Sequence, residues 1–92
     1  MKRTYTIQYD LLKSGQNYDK LIPAIQNLGS TWAKPLASCF AIVTTMTAAQ
    51  IRDSLTPCLD PNDRLLVTQV GPDWASRNLP KEVAEWFKQN VG

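Results

Sequence analysis

The residue with the clearest capacity for chemistry in this chain is Asp10, a lone carboxylate beside Tyr9 near the end of the run Arg3 to Leu11. In that run Tyr5, Ile7, Tyr9 and Leu11 alternate with Thr4, Thr6, Gln8 and Asp10. A period of two marks a strand packed on one face and polar on the other. Asp10 could hold a magnesium ion if a symmetry-related chain supplied a second carboxylate, with waters completing the octahedral shell. The metal could then supply a hydroxide nucleophile. The plainer role, and the preferred one, is a strand-end Asp that caps the following loop through side-chain to backbone hydrogen bonds.

Other residue types narrow the chemistry. Histidine is absent, which removes imidazole general-base catalysis, the Ser-His and Cys-His nucleophile arrangements and histidine-containing zinc sites. Cys39 and Cys58 have no redox or zinc spacing and read as reduced core thiols. With no secretory signal before the first strand, a cytoplasmic location is expected. Ser14-Gly15 lacks the glycine spacing and the lysine-hydroxyl pair of a nucleotide loop and reads as an ordinary turn.

Tyr5, Tyr9, Trp32, Trp74 and Trp86 could stack on single-stranded bases. The tyrosines fall on the strand face that should meet the helices, so packing in the core or at a dimer interface is the preferred reading. Ten Lys and Arg against eight Asp and Glu give a net charge of +2, and no basic run exceeds Lys2-Arg3. That balance neither requires nor excludes a nucleic-acid partner. No apolar run approaches the ~20 residues of a membrane span, so no membrane partner is expected.

The elements that must position these residues follow from periodicity. Lys13 to Asn17 is a polar loop, after which Tyr18, Leu21, Ile22, Ile25 and Leu28 recur at helical spacing. Asn17 could cap this helix, although Pro23 then lies inside it, so the helix either starts nearer Asp19 or kinks at Pro23. Gly29 is a natural stop. Ser30 to Lys34 and Ser38 to Thr45 read as two strands joined through Pro35-Leu36-Ala37 as an antiparallel hairpin. The second has apolar residues on both faces and should be central.

Thr47 and Gln50 form a capping box, with Met46 and Ile51 as the hydrophobic staple. Ala48, Ile51, Leu55, Cys58 and Leu59 make that helix's apolar stripe, and Pro57 ends its regular part. Asp60-Pro61-Asn62-Asp63 predicts a tight turn into a strand from Arg64 to Val70. The last segment adds Trp74, Leu79 and a helix opening near Pro80, with Val83, Trp86 and Phe87 on one stripe.

The expected fold is therefore α+β, a ferredoxin-like βαββαβ with an antiparallel sheet, plus a C-terminal helix. A single ferredoxin-like domain over 1–92 is expected, with 72–92 a tail docked on the domain or on a second subunit. Two of the three tryptophans lie in that tail, too much apolar area to leave in solvent.

Tyr9-Asp10-Leu11 closing the first strand resembles the Cas-two-like superfamily, which holds the small CRISPR adaptation subunit and the VapD-type toxins. Over nearly the whole chain, and especially at Pro72-Asp73-Trp74-Ala75, Leu79-Pro80-Lys81 and Trp86, it is similar to the small bacterial SinR-like proteins. The adaptation-subunit resemblance implies a homodimer with paired strand-end aspartates and metal-dependent nuclease activity, carried over onto Asp10 alone. The loop after Asp10 lacks the basic run common in that family, and a Trp-containing helix stands where those proteins usually place a strand. These departures weaken transfer of the nuclease activity more than transfer of the fold.

The leading expectation is a non-catalytic interaction or regulatory module, homodimeric, for which contact with nucleic acid or another protein remains open, and with no cofactor. The alternative is a metal-dependent endonuclease with Asp10 as catalytic residue and magnesium ligand.

Overall fold

The computed structural model describes residues 1–11 and 18–91. Its elements are β1 (Arg3–Asp10), α1 (Tyr18–Leu28), β2 (Thr31–Leu36), β3 (Cys39–Thr44), α2 (Ala48–Leu55), a 3-10 turn (Thr56–Cys58), β4 (Arg64–Gln69) and α3 (Lys81–Asn90). The architecture is α+β, and the described residues form a four-stranded antiparallel sheet in the order β2-β3-β1-β4 and three α-helices. β1 and β3 hold the two central positions.

The alternation in β1 sorts its side chains between two cores. Tyr5, Ile7 and Tyr9 join Phe40 and Ile42 of β3 under Leu21 and Ile25 of α1 and Ile51 and Leu55 of α2. Ile7, Leu21, Ile25, Ile42, Ile51 and Leu55 are completely buried. Burial of each such aliphatic side chain contributes about 1.5–3 kcal/mol. On the opposite face Ala41 packs with Phe87 and Val91, and Trp74, Val83 and Trp86 close over them. Every residue of β3 is buried, as expected of a central strand covered on both faces.

The tail lies on this chain's own sheet. Thr4 donates its hydroxyl to the Asn90 carbonyl at 2.6 Å, and Trp86 donates its indole N–H to Thr31 Oγ1 at 3.0 Å. Trp74 and Trp86 sit against Phe87, with ring centroids 5.3 and 5.4 Å away. A second subunit is not needed to cover this apolar stripe.

Local chemistry accounts for the boundaries. Thr47 Oγ1 accepts the Gln50 N–H at 3.2 Å and Gln50 Oε1 accepts the Thr47 N–H at 2.9 Å, closing the capping box. Met46 packs on the core that contains Ile51. Helix α2 stops at Leu55 and tightens into the turn holding Pro57, and the Asp63 N–H bonds back to the Asp60 carbonyl at 3.1 Å. Helix α1 runs from Tyr18 with Pro23 inside. Asn17 and the Ser14-Gly15 turn lie outside the described residues.

β2 departs from expectation. It continues through Pro35 to Leu36, so Leu36 pairs with Cys39 and the turn shrinks to Ala37-Ser38. Proline is tolerated here because β2 is an edge strand, where a missing N–H leaves no neighbour unpaired. The register shifts between Ala33 and Leu36, giving the extra residue of a bulge. Gly29 follows the last residue of α1, as the helix-stop reading expects, and has a steric reason as well. A Cβ there would stand 2.8 Å from Ile42 Cβ, 2.9 Å from the Thr31 carbonyl oxygen and 3.0 Å from that of Val43. The glycine is what lets the chain leave α1 this close to β3.

Candidate functional site

Among the described residues, two surface depressions bear on the sequence-predicted residues and on ligand binding. The first lies at the end of β1. Asp10 is exposed and lies in register opposite Arg64 of β4, and both line a shallow depression of about 210 Å³ with Gln8, Tyr9, Leu65 and Leu66. Directly opposed residues on antiparallel strands bring their Cβ atoms to about 4.5–5.5 Å. The neighbour that the sheet gives Asp10 is therefore a cation, where a magnesium site would want a second carboxylate. Among the described residues no group of three or more His, Cys, Asp or Glu side chains is arranged to hold a metal ion.

The aromatic residues are divided among packing roles. Tyr5 and Tyr9 lie in the core under α1 and α2, and Trp74 and Trp86 hold the tail to the sheet. Tyr9 stacks on Phe40 with centroids 6.4 Å apart and meets Tyr18 edge-on at 6.3 Å. Burial, then the neighbouring Tyr18 and Cys39, push the Tyr9 phenol above its ordinary pKa. Trp32 is the one exposed member, edge-on to Phe40 at 5.5 Å. Lys34 shares this ring, its Nζ 5.6 Å from the Phe40 centroid.

The second region was not legible as a site. Between β4 and α3 the chain returns across the second face of the sheet, and Val70, Trp74 and Leu79 are its half-buried residues. Under the segment from Trp74 to Leu79 lies a cleft of about 340 Å³. Its sheet side is formed by Thr6 and Gln8 of β1, Leu36 of β2 and Cys39 of β3, and Phe87 of α3 also lines it. Among the described residues that line it, Arg77 is the only charged one. Asn78, next to Arg77, takes a left-handed backbone with φ of 64°, a conformation asparagine accepts more readily than most residues. Burial pushes the Cys39 thiol up, so it presents a neutral wall and not a thiolate nucleophile.

The signal for this cleft was faint. It consisted of the single cation Arg77 in a polar stretch bounded by Trp74 and Leu79, and the partners facing it come from three different strands. No helix among the described residues is long and apolar enough to cross a membrane. Comparison with known proteins finds no matching family model and no matching curated protein.

Proposed function

We propose that this chain is a non-catalytic interaction module on a ferredoxin-like frame, working as a homodimer that pairs through the outer edge of β4. The frame is supported by the chain order β1α1β2β3α2β4 with antiparallel neighbours throughout. The observation that carries the dimer is the contrast between the two sheet edges.

Edge strands expose unpaired N–H and C=O groups and are usually blunted by Lys, Pro or a bulge. β2 has all three, in Lys34, Pro35 and the irregularity between Ala33 and Leu36. β4, Arg64-Leu65-Leu66-Val67-Thr68-Gln69, has none, and its central Leu66 is 58% exposed. Antiparallel self-pairing centred on Leu66 sets each Leu66 against its mate and each Arg64 against Thr68. No like charges then oppose one another, so the register carries no electrostatic penalty. Small side chains, Ala48 and Ala49 at the start of α2, flank the same edge and leave room for a second copy.

Sedimentation equilibrium across the micromolar range tests this reading. Wild type should be dimeric, and Leu66→Lys, at an exposed position, should be monomeric with an unchanged circular dichroism spectrum. A monomeric wild type, or a Leu66→Lys variant that stays dimeric, overturns the β4 interface.

A further inference from the structure

The cleft beneath Trp74 to Leu79 shares Gln8 with the depression at Asp10 but no other described lining residue, and its composition is specific. We propose that it binds a small amphipathic carboxylate, with the apolar body against Trp74, Leu36 and Phe87 and the carboxylate at Arg77.

Size is the first argument. A space of about 340 Å³ lies at the lower end of small-molecule sites, roughly 300–1,000 Å³, which combine apolar walls with a few placed polar groups. The walls here fit that description, because Leu36, Val70, Trp74, Leu79 and Phe87 supply carbon surface. Gln8 and Ser76 add hydrogen-bonding groups beside the cation.

Charge is the second argument, and it selects the ligand class. Arg77 is exposed and makes no ion pair among the described residues; the single salt bridge there joins Arg52 to Asp53 on α2. Among the described residues no Asp or Glu lines the cleft. A guanidinium offers a planar fork of donors matched to a carboxylate. A cationic ligand would meet only Arg77, and a bare inorganic anion would leave the carbon walls wet.

Leu36 supplies an independent observation. It lines the cleft and is 58% exposed, at the bulged end of an edge strand. An apolar occupant would shelter it from water.

The experiment uses the full chain and ¹⁵N-detected NMR titration with 3-phenylpropionate, 3-phenylpropionamide and acetate. Phenylpropionate should bind saturably and shift the signals of Arg77, Ser76 and Gln8. The amide should bind at least about tenfold more weakly, as should phenylpropionate to Arg77→Gln, the loss expected when a charge-assisted hydrogen bond is removed. Acetate should not saturate. Equal binding of acid and amide, unchanged binding by Arg77→Gln, shifts confined to other surfaces, or no saturation by phenylpropionate would each overturn the proposal. Arg77 lines neither of the depressions that the β4 residues Leu65 and Leu66 line, so the oligomeric state of Arg77→Gln should match wild type, and the two proposals fail independently.

Discussion

Trp86 of α3 donates its indole N–H to the hydroxyl of Thr31 on β2, at 3.0 Å. This bond fixes the tail helix against the edge of the sheet while the indole packs edge-on to Phe87. Trp86→Phe keeps an aromatic ring and removes the donor, and Thr31→Val removes the acceptor at nearly constant volume. In a double-mutant cycle read by urea unfolding, the coupling between the two should be about 0.5–1.5 kcal/mol. Coupling near zero would mean that the tail is held by apolar contact alone.

Gly29→Ala should destabilise the fold by about 1–3 kcal/mol, the usual range for forcing an extra carbon into a packed site. The atoms that the new Cβ would meet include two backbone carbonyl oxygens, which cannot swing aside as a side-chain end could. A variant as stable as wild type in chemical denaturation would show that α1 can shift away from β3.

Thr47→Ala removes the acceptor for the Gln50 N–H and should cost about 0.5–2 kcal/mol. Gln50→Ala leaves the Thr47 N–H without its side-chain partner. Both bonds of the box are exposed, but alanine at position 50 stands inside α2, where its higher helix propensity offsets part of the loss, so the loss should be smaller. Thermal unfolding of the two variants side by side gives the order, and the reverse order would contradict the capping geometry.

Stability should fall in alkali. Burial raises the Cys39 thiol above its ordinary value of 9.0, and burial chiefly raises the Tyr9 phenol above 10.0. Both groups hold their protons more tightly folded than unfolded, so their contribution is complete below about pH 9 and is lost as pH rises through the folded values. The melting temperature, followed upward from neutral pH, should begin to drop near 9 in wild type. In Cys39→Ala the drop should begin nearer 10, and an identical profile would remove Cys39 from the account.

Asp10→Asn should leave the fold in place and cost less than about 1 kcal/mol, the range of an exposed cross-strand charge pair. Magnesium should raise the melting temperature of neither form. A rise in wild type that Asp10→Asn abolishes, together with magnesium-stimulated cleavage of nucleic acid, would restore the endonuclease alternative.

Much of the frame could be read from spacing because it depends on local rules. The alternation of Tyr5, Ile7 and Tyr9, the Thr47–Gln50 box and the turn at Asp60 to Asp63 all act within a few residues. The path through Pro35 was missed because proline reads as a breaker until the strand is known to be an edge. Gly29 looked like a helix stop, and only the approach of Ile42 reveals its steric reason. Asp10 was prominent in the sequence, but the residue opposite it, Arg64, comes from a strand far along the chain. The cleft was least legible of all, since Gln8, Leu36 and Arg77 become neighbours only when the return segment crosses the sheet.

The central place of β1 also bears on how quickly the chain can reach its folded state. Leu36 finds Cys39 almost at once along the chain, so the β2–β3 hairpin can form early. Tyr5 must wait for Ile42 on one side and Gln69 on the other, and each pairing closes a long loop before it is repaid. Mixed helix-and-sheet domains assembled through such distant partners fold more slowly than helical bundles and faster than all-β sandwiches. Until β1 arrives, the inner edge of β3 has no strand beside it, and the bare edge most open to a wrong partner lies at what becomes the middle of the finished sheet.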